Sequence, residues 1–168
     1  MSRRVEESAI RRSGDRRFDW QFDDVTPWHY RCVQPAMTPQ ELRNRSMQFA
    51  VRAVRFCRNL PNTWEARRIG GQLIDSSTSL AINYRAAGRA RSHREFTAKL
   101  GTVTEEADET VGWLELIAQL ELARSPEMAW WLSESSELVA IFGSSYATAK
   151  EKDAQTRRSR QSRDPDRR

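Results

Sequence analysis

The residue types that carry catalysis in other proteins are sparse in this chain and do not converge. It has two histidines, His29 and His93, and two cysteines, Cys32 and Cys57. None of them stands at the short paired spacing that brings ligands round a zinc ion. Two unpatterned thiols fit a reducing cytoplasm better than a disulfide framework. Ser76, Ser77 and Ser79 have no base near them in sequence, so they read as helix-packing residues rather than activated nucleophiles. The carboxylates Glu105, Glu106, Asp108, Glu109 and Glu115 suggest a di-metal site until its remaining ligands are sought. A bundle of that kind repeats Glu-x-x-His on two helices, and this sequence does not. Gly70-Gly71 matches no phosphate-binding loop. The expectation is therefore a protein that is not an enzyme, with no metal and no cofactor.

The chemistry that does stand out is electrostatic. Net charge is +5, and it is unevenly placed. Residues 38–94 carry 11 basic and 3 acidic groups, whereas residues 95–151 carry 3 basic and 11 acidic. Every basic group in the first of these stretches is arginine, whose planar guanidinium suits bidentate phosphate contacts. Arg45, Arg52, Arg55, Arg85, Arg89, Arg91 and Arg94 are the expected nucleic-acid contacts. Two readings of the polarity stand side by side. One half attracts polyanions, or the two halves attract each other within the fold or between subunits.

Four helical segments must position these groups. Thr38-Pro39-Gln40-Glu41 combines a cap, a proline at the first helical position and a capping-box glutamate. Leu42, Phe49, Ala53, Phe56 and Leu60 then recur at helical spacing, with Ala50 and Cys57 beside them, up to Pro61. Asn62 is the expected cap of a second helix, whose buried stripe is Ile69, Leu73, Leu80 and Tyr84. Gly70-Gly71 costs that helix roughly 1 kcal/mol per glycine, which a kink or a close helix approach would explain. Asn83 is polar in a segment that otherwise looks buried, so it should need partners. Gly88 is expected to end the helix in the left-handed conformation. Ser92 and Glu95 then open a third helix as a capping box. Its stripe is Phe96, Leu100, Val103, Ala107, Val111, Leu114 and Ile117, running to about Leu122. Ser125-Pro126-Glu127 starts a fourth, with Met128, Trp131, Leu132, Leu138, Val139, Phe142 and Tyr146 continuing to about Lys150. Short connections make an antiparallel up-down-up-down four-helix bundle over residues 38–151.

Some apolar residues exceed what one stripe per helix can bury. Trp113, Leu116 and Leu120 on the third helix, with Trp130 and Ile141 on the fourth, are the expected oligomer interface. Residues 1–37 form an irregular arm in which Phe18, Trp20, Phe22, Trp28 and Tyr30 cluster among charges. Such aromatics imply docking on the bundle, a neighbouring subunit or a partner. Met37 as the true start is the competing reading. Residues 152–168 lack any apolar anchor and read as a disordered basic tail. No apolar run approaches the ~20 residues of a membrane span, and the first residues lack the apolar stretch of a signal peptide.

The run Gly71 to Ala87, Gly-Gln-Leu-Ile-Asp-Ser-Ser-Thr-Ser-Leu-Ala-Ile-Asn-Tyr-Arg-Ala-Ala, resembles the central motif of the 23S rRNA intervening sequence protein family. The continuation through Ser92, Phe96, Lys99, Leu100, Glu106, Ala107, Glu109, Trp113 and Leu114 is similar too, and Asn83, Tyr84, Gly88, Ser92 and Phe96 are the motif positions. One departure is Ala86, where the family often has an acidic residue, so any role of that carboxylate is missing here. The resemblance implies a bacterial four-helix bundle. It extends to the accessory protein of diversity-generating retroelements, which implies a homopentameric ring that binds RNA or DNA and a reverse transcriptase. The reading is a non-catalytic, oligomeric nucleic-acid-binding accessory protein. The alternative is an assembly adaptor that docks a partner such as a reverse transcriptase without touching nucleic acid.

Overall fold

The computed structural model describes residues 37–123 and 127–163. The aromatic arm, His29, Cys32, the Ser125-Pro126 start of the fourth helix and residues 164–168 lie outside the described residues. Four α-helices follow one another: α1 (Pro39–Cys57), α2 (Trp64–Ala87), α3 (His93–Gln119) and α4 (Glu127–Arg163). Successive helices pack antiparallel, and α4 returns beside α1 to close an all-α four-helix bundle. None of these helices is long and apolar enough to cross a membrane.

The helix starts follow local chemistry, with two corrections. At α1 both halves of the capping box form: Thr38 Oγ1 accepts from the Glu41 N–H, and Glu41 accepts from the Thr38 N–H at 2.7 Å. These bonds hold the Glu41 carboxyl below the usual carboxylate range. At α2 the cap is Thr63, not Asn62; Asn62 instead accepts from the Arg67 guanidinium. At α3 Ser92 caps the Glu95 N–H, but the Glu95 carboxylate turns to the Arg91 N–H and guanidinium rather than completing a box.

The helix ends hold a reversal. Gly88 closes α2 at φ −63°, a right-handed value, so its freedom is not spent on the turn. A methyl there would lie 2.8 Å from the end of the flexible Arg43 side chain, which rests over this glycine. The left-handed residue is Glu121 at φ 51°, after α3. The Leu122 N–H reaches the Ile117 carbonyl and the Glu121 N–H reaches that of Ala118, the paired bonds of a Schellman ending. Helix α4 also departs from expectation. It does not stop near Lys150 but continues to Arg163, through residues that composition assigned to a disordered tail. Glu151, Lys152, Ala154, Gln155, Arg157 and Arg158 are good helix formers, and no glycine or proline intervenes between Gly143 and Pro165. His93 Nε2 sits 3.1 Å from the Ala149 carbonyl and 3.8 Å from Asp153, tying this extension to the start of α3.

The core contains the predicted stripes: Leu42, Phe49, Ala53 and Phe56 from α1, Leu73 and Leu80 from α2, Leu100, Val103, Leu114 and Ile117 from α3, Trp131, Leu138 and Phe142 from α4. Tyr84 is half-buried with its ring 5.0 Å from that of Phe142, and burial pushes its hydroxyl pKa up. Phe96 is also half-buried, beside the His93 ring. Asn83 is only partly buried, so solvent can meet its needs and no buried network is required. The glycine pair resolves into a close approach rather than a kink. A Cβ on Gly70 would stand 3.1 Å from Leu60 and 3.6 Å from Cys57, whereas one on Gly71 would meet nothing. Cys57 Sγ donates to the Gly70 carbonyl across this contact, and burial pushes its pKa up to about 11. The thiol is a packing group, not a poised nucleophile.

Candidate nucleic-acid interface

The seven arginines expected to act together are divided by the fold into four groups. Arg45 leaves the set. It is half-buried in the cleft between α1 and α4, with Nε and Nη2 on the Glu134 carboxylate at 2.7 and 2.8 Å and Nη1 and Nη2 on Glu137. Charge-assisted bonds of this length are strong. They raise the Arg45 pKa and hold the Glu137 carboxyl below its usual range. Arg91 and Arg94 lie at the exposed turn before and within the first turn of α3, and Arg91 is partly engaged by Glu95 at 3.4 Å.

The other four stand at two grooves. Arg85 and Arg89, at the end of α2, face the first turns of α1 across a groove of about 410 Å³ that Gln40, Arg43, Asn44 and Met47 complete. Arg43 lies over Gly88 and donates to Gln40 at 2.7 Å. No salt bridge joins Arg43, Arg85 or Arg89 to a carboxylate among the described residues. Three guanidiniums with the Gln40 and Asn44 amides beside them make this a cationic groove, an anion cradle by the ligand class such donors suit. Arg43 was one of eleven arginines in the basic stretch and nothing in its spacing marked it. The signal is the pairing of Gly88 with a long cation from the neighbouring helix, which only the packing reveals.

Arg52 and Arg55 stand further along α1, at a groove of about 310 Å³ lined also by Phe56, Asn59, Trp130 and Trp131. The Arg52 guanidinium lies 4.3 Å above the Trp130 ring, a cation–π stack. Trp130 therefore belongs with the arginines, not with the apolar residues of α3 grouped with it by sequence. It is 37% exposed, while the Trp131 ring packs edge-on against it at 4.8 Å and is buried.

The remaining interface candidates are dispersed. Trp113 and Leu116 line a shallow groove of about 430 Å³ on α3, with Asp108, Glu109 and Glu115 at its margin. Leu120 is exposed at the end of the same helix, and Ile141 is half-buried against the core on α4. The sequence reading missed Trp64, 74% exposed, and Ile82, 56% exposed, on the outer face of α2. The spacing carried a signal for Ile82: nine residues from Leu73 is two and a half helical turns, so it must point away from the core. Near the acidic margin, Glu106 has its carboxyl pushed above the usual range, by desolvation first and then by Glu109, Glu105 and Asp75. Among the described residues no group of three or more His, Cys, Asp or Glu is placed to hold a metal ion.

A family model described as 23S rRNA-intervening sequence protein matches residues 39–144, from the start of α1 into the middle of α4. The chain belongs to this family. Among solved structures it is similar to a protein of unknown function from the S23 ribosomal protein family of Bacteroides thetaiotaomicron. The two are 29% identical with a TM-score of 0.60, over 65% of this chain and 97% of that one. No functionally curated protein matches it. Both grooves lie within the matched segment, whereas the last turns of α4 lie beyond it.

Proposed function

We propose that this protein is a non-catalytic, self-associating nucleic-acid-binding bundle of the cytoplasm that grips phosphates through arginines of α1 and α2. The observation that carries this reading is the convergence of Arg43, Arg85 and Arg89 on one groove with no carboxylate paired to them among the described residues. A buried cation without a pair is costly, but these are held at the surface where a phosphate can approach. Arg91 and Arg94 extend the positive field from the same end of the bundle. Binding is expected to be weakly sequence-specific and to fall steeply with salt, because each phosphate neutralised releases counterions. Gel shifts with structured RNA and with DNA across a salt series test this. Charge reversal at Arg85 and Arg89 together is expected to abolish the shift while leaving helical content unchanged. No binding at low salt by the intact chain would defeat the reading.

A second reading rests on the α3 groove. Trp113 and Leu116 offer apolar area within an acidic margin, the complement of the basic face of α1 and α2. We infer that copies associate head to tail through these surfaces, a heterologous contact that closes as a ring. Family resemblance suggests five subunits and a protein partner such as a reverse transcriptase. Light scattering on the full chain and on a chain starting at Met37 checks the assembly. Trp113→Glu is expected to reduce the mass to that of a monomer with helical content intact. A monomer for both chains at micromolar concentration would exclude the ring. A pull-down from the native host that recovers only nucleic acid would exclude the adaptor role.

A further inference from the structure

The groove at Arg52, Arg55 and Trp130 differs in kind from the anion cradle. The cradle offers cations and amides; this groove offers a ring face as well. Trp130 is held edge-on by Trp131 at 4.8 Å, and Phe49 stands 6.4 Å away on the inner side. Its orientation is fixed by the core, so stacking on it costs little ordering. Arg52 covers the ring, yet Arg52 is exposed and has no carboxylate partner among the described residues, so a flat ligand can slide beneath it or replace it. Arg55 is exposed at the same groove. Trp131 contributes a third feature. Its Nε1–H is buried with no acceptor among the described residues, a costly omission for an indole. Glu134 and Glu137 lie within two turns of Trp130, but Arg45 already binds both, which offsets their repulsion of an anion.

We propose that this groove takes an unpaired nucleobase, stacked on Trp130 between Arg52 and the indole, with its flanking phosphate on Arg55. The inference rests on the nucleic-acid reading above and narrows it to single-stranded or looped segments. Bases inside a duplex hide their faces against one another, so only an unpaired base can present a face to a recessed ring. Nine residues of α1, two and a half turns, separate Arg43 from Arg52, so the two grooves open on opposite sides of that helix, about 14 Å apart along its axis. A strand that reached both would have to cross the outer face of α1, so the stacking groove is tested by itself.

The test uses the full chain and oligonucleotides of about twelve nucleotides. Oligo-uridine, oligo-thymidine, the same backbone with abasic positions, and a duplex of equal length are titrated at one low salt concentration. The single strands carrying bases are expected to bind about tenfold or more tighter than the abasic backbone, and tighter than the duplex. Trp130→Ala is expected to remove that preference while leaving abasic binding unchanged. Trp130→Phe, which keeps a ring, should retain most of it. Circular dichroism and the urea midpoint report whether either variant is misfolded, and the abasic comparison needs no variant at all. Equal binding of abasic and base-carrying strands would overturn the stacking site while leaving phosphate binding standing. A base preference that survives Trp130→Ala would overturn it as well. Binding of none of the four ligands would remove the phosphate reading, and this one with it.

Discussion

Between α2 and α3 the helices come close, and small residues make that possible. Ser76, Ala107 and Thr110 are buried there, with the Ser76 and Thr110 hydroxyls 3.0 Å apart. Each hydroxyl also lies near a carbonyl of its own helix, Thr110 2.8 Å from Glu106 and Ser76 3.4 Å from Leu73, so two protons serve three contacts. Between α1 and α4 the backbones stay further apart, and the space is filled by the rings of Phe49, Phe56, Trp130 and Trp131 with the Arg45–Glu134–Glu137 cluster beside them. Close approach leaves no room for a ligand. A seam of large side chains has an outer edge that packs incompletely, and the Arg52–Trp130 groove lies along it. The proposed stacking groove thus lies where the bundle is held together by rings and ions, not where it is held by small residues.

Removing a ring from the wide seam should have the largest effect. Phe49 is buried and contacts both tryptophans, so Phe49→Ala leaves a cavity that rigid indoles cannot fill. We expect a loss of about 4 kcal/mol, read from the urea midpoint. In the close seam the damaging change is the opposite one. Ser76→Leu adds volume between α2 and α3 and is expected to cost about 2–3 kcal/mol by the same measurement. If Ser76→Leu proved neutral, the two seams would not differ in the way their packing implies.

Arg45→Met tests the ionic part of the wide seam. It strands two neighbouring carboxylates, but Glu137 is 39% exposed, so the penalty is discounted to about 2 kcal/mol at neutral pH. Adding Glu134→Gln and Glu137→Gln to the Arg45→Met variant is expected to restore most of it. The smallest effect is a contrast in pH dependence. Glu137 has a lowered folded pKa, so its stabilisation is present above its ordinary value of 4.5 and is lost as pH falls through the folded value. Glu106 has a raised one, with the opposite sign: stability falls as pH rises from 4.5 through its folded value. Glu106→Gln is therefore expected to raise the urea midpoint at pH 7, and Glu137→Gln to lower it. A shift in the same direction for both would contradict the two environments.

The sequence by itself determined the four helices and nearly all of their buried stripes, because a 3.6-residue period and a cap are local properties. Thr38 with Glu41, and Leu100 through Ile117, needed nothing distant to be recognised. It also determined that, within residues 38–151, the cationic groups crowd the first half and the acidic groups the second. What it could not determine was partnership across the bundle. Arg45 and Arg52 sit seven residues apart on one helix, and their types and spacing predict the same role. The return of α4 beside α1 places two carboxylates against the first and an indole against the second. Gly88 was legible as a helix end but not as the seat of Arg43, because a missing Cβ shows only where something occupies its space. The end of α4 needed the opposite correction: its polar composition suggested disorder, while helix propensity and the His93 contact extend the helix to Arg163. Charge and period are written along the chain, whereas which arginine remains free for a phosphate depends on what the third dimension sets against it.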